Sequence, residues 1–418
     1  MVADGEATRG RDDRAMKRVL TNATLIDCVN PRPIPGASVT IEDGRIAEVL
    51  DASRAPDTGG AEVTDLGGAY LLPGLWDVHI HPDYLAATGA SVVEQTVAFG
   101  HRLMEALTEG GVVGVRCAGA AHFMDVAWKR AFESGQYVGP RVFAAGYFLT
   151  TTGGHFLTSG HAQECDGPYG FVRAIREQIK NGVDHIKLNL TGGIMGPAWD
   201  RHWQSFLLDD ELEAAFSICA KRGYRVMAHA ASAEAVQAAV RLGAHSIEHG
   251  YLMNRECIDA MRAQGTWYVP TLAITHLTPD QAGDRWEKRW VEQRSLAPDL
   301  CHRADAAAAE HRQWFQQALS AGVKMALGSD IRPLKEAALL ELGLWVKDGA
   351  TPWQALLAAT RHAAELCGVG DELGTIEPGK LADLIVVGAN PLDEITNLRQ
   401  LLLVLKEGRI VSDKRRAA

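Results

Sequence analysis

Hydrophobic positions along this chain follow two rhythms. From Val19 to Leu50 they form short runs: Val19-Leu20, Thr24-Leu25-Ile26, Ser38 to Ile41 and Ile46 to Leu50. The loop Pro31 to Gly36 and the turn Glu42-Asp43-Gly44-Arg45 separate them, so the segment reads as strands. The far end repeats the rhythm with Gly374-Thr375-Ile376, Ala382 to Val387, Leu401 to Leu405 and, after the turn Glu407-Gly408-Arg409, Ile410-Val411. Between the ends, apolar strand runs alternate with stretches of helical period. The predicted strands are Leu71–His81, Val112–Ala118, Arg141–Leu149, His185–Leu190, Arg225–Ala230, Ser246–His249, Trp267–Leu272 and Lys324–Gly328. Amphipathic helices are predicted over Val93–Thr108, Leu208–Arg222, Ala233–Leu242 and Arg303–Ala321.

That alternation gives roughly eight βα repeats over roughly 300 residues, the arithmetic of a (β/α)8 TIM barrel. An open doubly wound sheet is the competing topology, but no G-x-G-x-x-G follows the first strand to support a dinucleotide site. The predicted organisation is α/β throughout the middle. Residues 1–17 are read as a disordered polar segment. Residues 18–70 and 374–418 are the two parts of one small β-sandwich, and 71–373 form the barrel.

Composition narrows the function. The 418 residues are 47% hydrophobic and 22% charged, ordinary for a globular chain. A net charge of -10 without a long basic run argues against nucleic acid and anionic membranes as partners. The seven cysteines are scattered and never spaced C-x-x-C, so neither a disulfide framework nor a cysteine zinc site is expected. A reducing cytoplasm fits that usage. No secretory h-region precedes Arg18, and no apolar run approaches a membrane span.

The chemistry sits at strand ends. In Leu71-Leu72-Pro73-Gly74-Leu75-Trp76-Asp77-Val78-His79-Ile80-His81, two histidines spaced i, i+2 share one face of a strand that Pro82 stops. Such a pair can grip one metal ion. His229 ends Val226-Met227-Ala228-His229, His249 ends Ile247-Glu248-His249, and Asp330 ends Leu327-Gly328-Ser329-Asp330. Singly, each has a plain alternative: a satisfied core histidine, or a helix-capping aspartate. Lys187, inside His185-Ile186-Lys187-Leu188-Asn189-Leu190, is harder to dismiss, because a lysine in an apolar strand must lose its charge or find a partner. A neutral amine can add carbon dioxide, and the resulting carbamate has two oxygens with which to bridge two cations.

As a set these motifs resemble the metal-dependent amidohydrolase superfamily. The chain is most similar to the imidazolonepropionase-related branch that contains binuclear, prolidase-like dipeptidases and carboxypeptidases. The resemblance runs from about Arg18 to Val411 and includes Thr152-Gly153-Gly154-His155, Thr191-Gly192-Gly193 and the tail Gly374-Thr375-Ile376-Glu377-Pro378-Gly379-Lys380-Leu381-Ala382-Asp383-Leu384. It implies that His79, His81 and Asp330 bind the more buried of two divalent metal ions, zinc being expected. His229 and His249 would bind the other, and a carbon-dioxide-derived carbamate on Lys187 would bridge them. The alternative for Lys187 is an unmodified lysine beside a single metal.

The resemblance further implies hydrolysis of an amide bond to a C-terminal amino acid, in a dipeptide or N-acyl amino acid, by a metal-bridging hydroxide. Asp330 would carry the proton to the leaving nitrogen. His155, after two glycines, is expected to hold the substrate carbonyl or carboxylate; the alternative is a structural loop histidine. Trp199 and Trp203 either line an aromatic-accepting pocket or pack their loop onto the barrel. Tyr251 is expected to touch substrate, and Arg332 either pairs with a substrate carboxylate or is solvated. Three departures from the family pattern are Arg116-Cys117 for Arg-Asp, Tyr251 for a small residue, and Gly328-Ser329-Asp330 for Gly-Thr-Asp, the first two expected near the site. The same machinery also suits a xenobiotic or toxin amide of the ochratoxin kind, a carbamate, a urea or a cyclic amide. A noncatalytic scaffold is the reading from another class. The expected partner is a small-molecule amide, and the chain is expected to assemble as a homo-oligomer.

Overall fold

A computed structural model describes residues 17–84 and 88–415. The expectation of disorder falls on a segment that lies, but for its last residue, outside these. The strand predicted over Leu71–His81 is two strands serving two sheets. Tyr70–Pro73 pairs with Thr24-Leu25 on one side and antiparallel to Leu384–Val387 on the other, whereas Leu75–Ile80 pairs with Val112–Cys117. Gly74 is the hinge. A Cβ there would sit 2.2 Å from a Val113 methyl, so only glycine lets the two layers approach.

The chain ends build one eight-stranded sheet from Arg18–Leu25, Ile34–Glu42, Arg45–Leu50, Glu62–Asp65, Tyr70–Pro73, Leu384–Val387, Leu401–Lys406 and Arg409–Asp413. The predicted loop through Gly36 is shorter than expected, because Ile34 already pairs with Leu25. The strand at Arg45 also meets the other terminus: Ile46 N–H donates to Lys380 O at 2.8 Å and Ala382 N–H to Gly44 O at 2.9 Å. This sheet has its own apolar core, including Leu20, Leu25, Val39, Ile41, Leu71, Leu384 and Leu403.

In the middle, parallel strands bond largely in sequence order, with Ala162–Glu164 stepping outside Phe148–Thr150, which is not the order of a doubly wound sheet. Leu75–Ile80, Val112–Cys117 and Arg141–Phe143 form one group. Ala162–Glu164, Phe148–Thr150, His185–Asn189, Arg225–Ser232, Ser246–Leu252 and Trp267–Val269 form the other. The predicted strand Arg141–Leu149 is thus divided between groups, and Asp184 N–H joins them by donating to Ala144 O at 2.8 Å. On the opposite side, residues 324–330 make no full strand. Tyr268 N–H still donates to Lys324 O, Val78 N–H to Leu327 O and Asp330 N–H to His79 O, at 2.8, 2.9 and 2.9 Å. The result is a TIM-barrel-like α/β fold.

Helices cover the outside as their patterns predict. Val92–Gly110 starts at a capping box in which Ser91 and Glu94 satisfy each other's backbone N–H groups. Asp209–Arg222, Ala233–Arg241 and Pro298–Ala321 match the other predicted helices, the last starting five residues early at Pro298. Buried Asp383, paired with Lys406 within the terminal sheet, ties that sheet to the barrel through Arg141. Among the described residues, no helix is long and apolar enough to cross a membrane.

Candidate active site

The histidines, lysine and aspartate singled out in the sequence converge at the C-terminal ends of the parallel strands, where barrel active sites lie. His79, His81 and Asp330 come closest. One candidate ligand atom of each lies within 4.8 Å of the others. Asp330 Oδ1 is 3.5 Å from His81 Nε2 and 3.9 Å from His79 Nε2. Its backbone has φ +55°, held there by its N–H bond to His79 O. Ser329 is anchored as well: its N–H donates to Asp77 Oδ1 at 2.9 Å and its hydroxyl to Oδ2. The serine that departs from the family pattern therefore keeps the hydroxyl this contact needs.

The outer nitrogens of these rings are fixed. His79 Nδ1 meets Glu248 Oε2 at 2.7 Å, His81 Nδ1 meets Gly119 O at 3.0 Å, and His249 Nδ1 meets Thr271 Oγ1 at 2.7 Å. With Nδ1–H directed outward, the Nε2 lone pairs of His79 and His81 are free for a cation. His229 is turned the other way: Nε2 bonds Gly192 O at 2.9 Å, leaving Nδ1 for the site. Burial, reinforced by neighbouring cationic groups such as Lys187, holds all four imidazoles well below their ordinary pKa and so neutral, the form that binds metal. His229 lies beside His249, with ring centroids 4.5 Å apart.

Lys187 is 2% exposed and has no hydrogen bond or ion pair to any described residue. Burial brings its amine down to about 8, against the opposing pull of Glu248 and Asp330. The donor set fits cations in two places. His79, His81 and Asp330 supply two neutral donors and one anion. His229 and His249 supply only neutral donors, and an anion from Lys187 would complete them.

His155 stacks on His229 with centroids 4.3 Å apart and is gripped by fully buried Asp200 at 2.8 Å. Asp200 also accepts from Phe156 N–H at 3.0 Å and Gly193 N–H at 2.9 Å. Burial raises its carboxyl, but the His155 bond and the two amides outweigh that and leave it lowered. Asp200→Asn keeps the size but forfeits the charge that orients His155. We expect kcat/KM to fall about 10–100-fold with metal content unchanged, checked by steady-state kinetics alongside elemental analysis.

The site opens into a cavity of about 300 Å³, within the range for small-molecule pockets. His79, His81, Lys187, His229, His249, Asp330, His155, Tyr251 and Arg332 all line it. Trp199 and Trp203 do not: they are 48% and 52% exposed and turn away, while Ile194 and Met195 of the same loop face inward. The cause is Asp200. Cβ atoms at Gly192 and Gly196 would lie 2.6 and 2.0 Å from its carboxylate oxygens, so the loop wraps this buried acid and leaves its tryptophans outside.

The sequence assigned no role to several other participants. Glu248 and Arg116 form a buried pair behind His79, joined at 2.8 Å. The signal for Glu248 was the one that marked Lys187, a charge in an apolar strand. Tyr84 and Arg294, which also line the cavity, carried no local signal.

The sequence matches the amidohydrolase family over residues 70–411. It is 30% identical over 359 residues to ochratoxinase of Aspergillus niger, covering 78% of this chain and 71% of that protein. It is 26% identical over 418 residues to imidazolonepropionase of Acidiphilium cryptum (strain JF-5), covering 90% and 94%. A solved Xaa-Pro dipeptidase with bound methionine in its active site superposes with a TM-score of 0.82 at 28% identity, over 94% of this chain and 99% of that one.

Proposed function

This chain belongs to the amidohydrolase family, in its prolidase-like branch, and from that premise we propose that it hydrolyses the amide joining an acyl group to a C-terminal amino acid. It is a hydrolase acting on carbon–nitrogen bonds. On this reading residues 71–373 are one closed (β/α)8 barrel, with 18–70 and 374–418 as two parts of a β-sandwich. His79, His81 and Asp330 would hold one zinc ion, His229 and His249 a second, and Lys187, as a carbamate, would stand between them. Ions bound there would supply a hydroxide at neutral pH and polarise the scissile carbonyl.

The rest falls to side chains. Burial pushes the Asp330 carboxyl up to about 6, against the opposing charges of Arg332 and Lys187. With Oδ1 turned toward His79 and His81, the other carboxylate oxygen of Asp330 would take a proton and release it to a departing amine. His155, held at Nδ1 by Asp200, would position the substrate carbonyl or carboxylate from its free edge. Tyr251 walls the cavity beside His249, its ring centroid 5.3 Å away. The observation that carries the reading is Lys187, buried and unpartnered among four histidines and an aspartate. The family shared with A. niger ochratoxinase favours one second reading, a toxin amide as substrate.

Elemental analysis should find about two transition metals per chain; one or none overturns the binuclear reading. A panel of N-acyl amino acids, dipeptides, ochratoxin-type amides, carbamates and cyclic amides should rank amides of C-terminal amino acids at least ~100-fold above cyclic amides in kcat/KM. Turnover confined to cyclic amides or carbamates would overturn the substrate class.

A further inference from the structure

Two arginines of the cavity wall carry buried guanidinium nitrogens with no hydrogen-bond partner among the described residues, Arg294 Nη1 and Arg332 Nη1. Both are held from behind. The Arg332 guanidinium lies over the Tyr84 ring, 3.9 Å from its centroid. The Arg294 guanidinium lies 4.9 Å from the Trp290 ring centroid, and the same buried tryptophan donates from Nε1 to Arg332 O at 2.8 Å. One indole therefore packs against the Arg294 guanidinium and anchors the Arg332 backbone. Facing one cavity they repel each other: burial, then the charge of Arg332, brings Arg294 down to about 10. Buried unpaired N–H groups and like charges at close quarters are both costly, and a carboxylate relieves both at once.

We propose that Arg294 and Arg332 form a receptor for the free carboxylate on the leaving-group side of the substrate. The side follows from proximity: both arginines share the cavity wall with Asp330 and lie within reach of its charge, and Asp330 is the group that returns the proton to the leaving nitrogen. Ile274, Leu296 and Leu300 line the same cavity, so the amino acid released is one with an apolar side chain. This deepens the amide-hydrolase reading and rests on it. It separates acidic amides from neutral carbamates and ureas, which offer no anion to this pair.

The test compares benzoyl-L-phenylalanine with benzoyl-L-phenylalaninamide, following benzoate release, in wild type, Arg294→Met and Arg294→Lys. Wild type should favour the acid by about 100-fold in kcat/KM, mainly through KM. Arg294→Met should collapse that ratio to within about 3-fold, and Arg294→Lys, which keeps the charge without the planar fork, should fall between. Binding of L-phenylalanine and L-phenylalaninamide, read by tryptophan fluorescence on metal-loaded and chelated protein, gives a second readout independent of turnover. Equal cleavage of acid and amide by wild type, or an unchanged ratio in Arg294→Met, overturns the receptor. No hydrolysis of either compound, with the acid still bound preferentially, overturns the amide-hydrolase reading and supports the receptor.

Discussion

Lys187→Ala should lower metal content from about two ions per chain to one or fewer and reduce kcat/KM by at least ~10³-fold. The lysine is itself costly to the fold. Its folded-state pKa is about 8 against an ordinary 10.5, so carrying its proton in this setting costs about 3 kcal/mol of folded stability. The folded pKa is depressed. Stability from this group is therefore complete above pH 10.5 and is lost as pH falls through 8. As pH rises from 7.5 to 9.5, chelated wild-type protein in carbon-dioxide-free buffer should thus gain stability relative to Lys187→Met. Lys187→Met, with no such proton, should lose that part of the slope.

A buried lysine without a partner opposes folding, so its presence there points to chemistry. If the carbamate supplies the anion, zinc uptake by chelated protein should be faster and fuller with bicarbonate than without. A short carboxylate such as propionate should restore part of the metal and activity of Lys187→Ala by filling the space with two oxygens. Full activity in Lys187→Ala, or uptake indifferent to bicarbonate, would sink the bridging role.

The ligands were legible because each is written locally. A histidine or aspartate that closes an apolar strand run must project at the strand's end, whatever the rest of the chain does. Lys187 was legible for a different reason: desolvation makes a charged residue in an apolar strand anomalous on its own. The loop after Asn189 was not legible. Whether its tryptophans or its aliphatic residues turn inward depends on Asp200, which reaches back 45 positions to His155. Likewise Leu71–His81 is one apolar run in sequence but serves two sheets, a division set by partners near Val113 and Asp383. Arg294 sits on a helix of mixed charge pattern, and only Trp290 explains its posture. Strand ends could be read. Side chains oriented by distant partners could not.

Glu248 belongs to that second group, and its replacement has the largest expected effect on stability. Its Oε1 accepts from Arg116 Nη2 at 2.8 Å and from Ser246 Oγ at 2.5 Å, while Oε2 accepts from His79 Nδ1 at 2.7 Å. Arg116 further donates from Nε to Val78 O at 2.8 Å and from Nη1 to Ser246 Oγ at 2.9 Å. Both members of the pair are buried. Glu248→Ala leaves an uncompensated buried cation and should cost about 3–5 kcal/mol of stability, measured by denaturant unfolding. Glu248→Gln separates stability from function. Its amide oxygen can still accept from Arg116, but its NH2 then faces His79 Nδ1 and favours the tautomer with the proton on Nε2. That proton occupies the lone pair the site requires. Activity and metal affinity should fall about 10–100-fold while the protein stays folded. The double variant Arg116→Met/Glu248→Met removes both charges. It should recover much of the stability lost in Glu248→Ala without recovering activity, because nothing then fixes the His79 tautomer. Recovery of activity together with stability would show that the pair serves the fold alone.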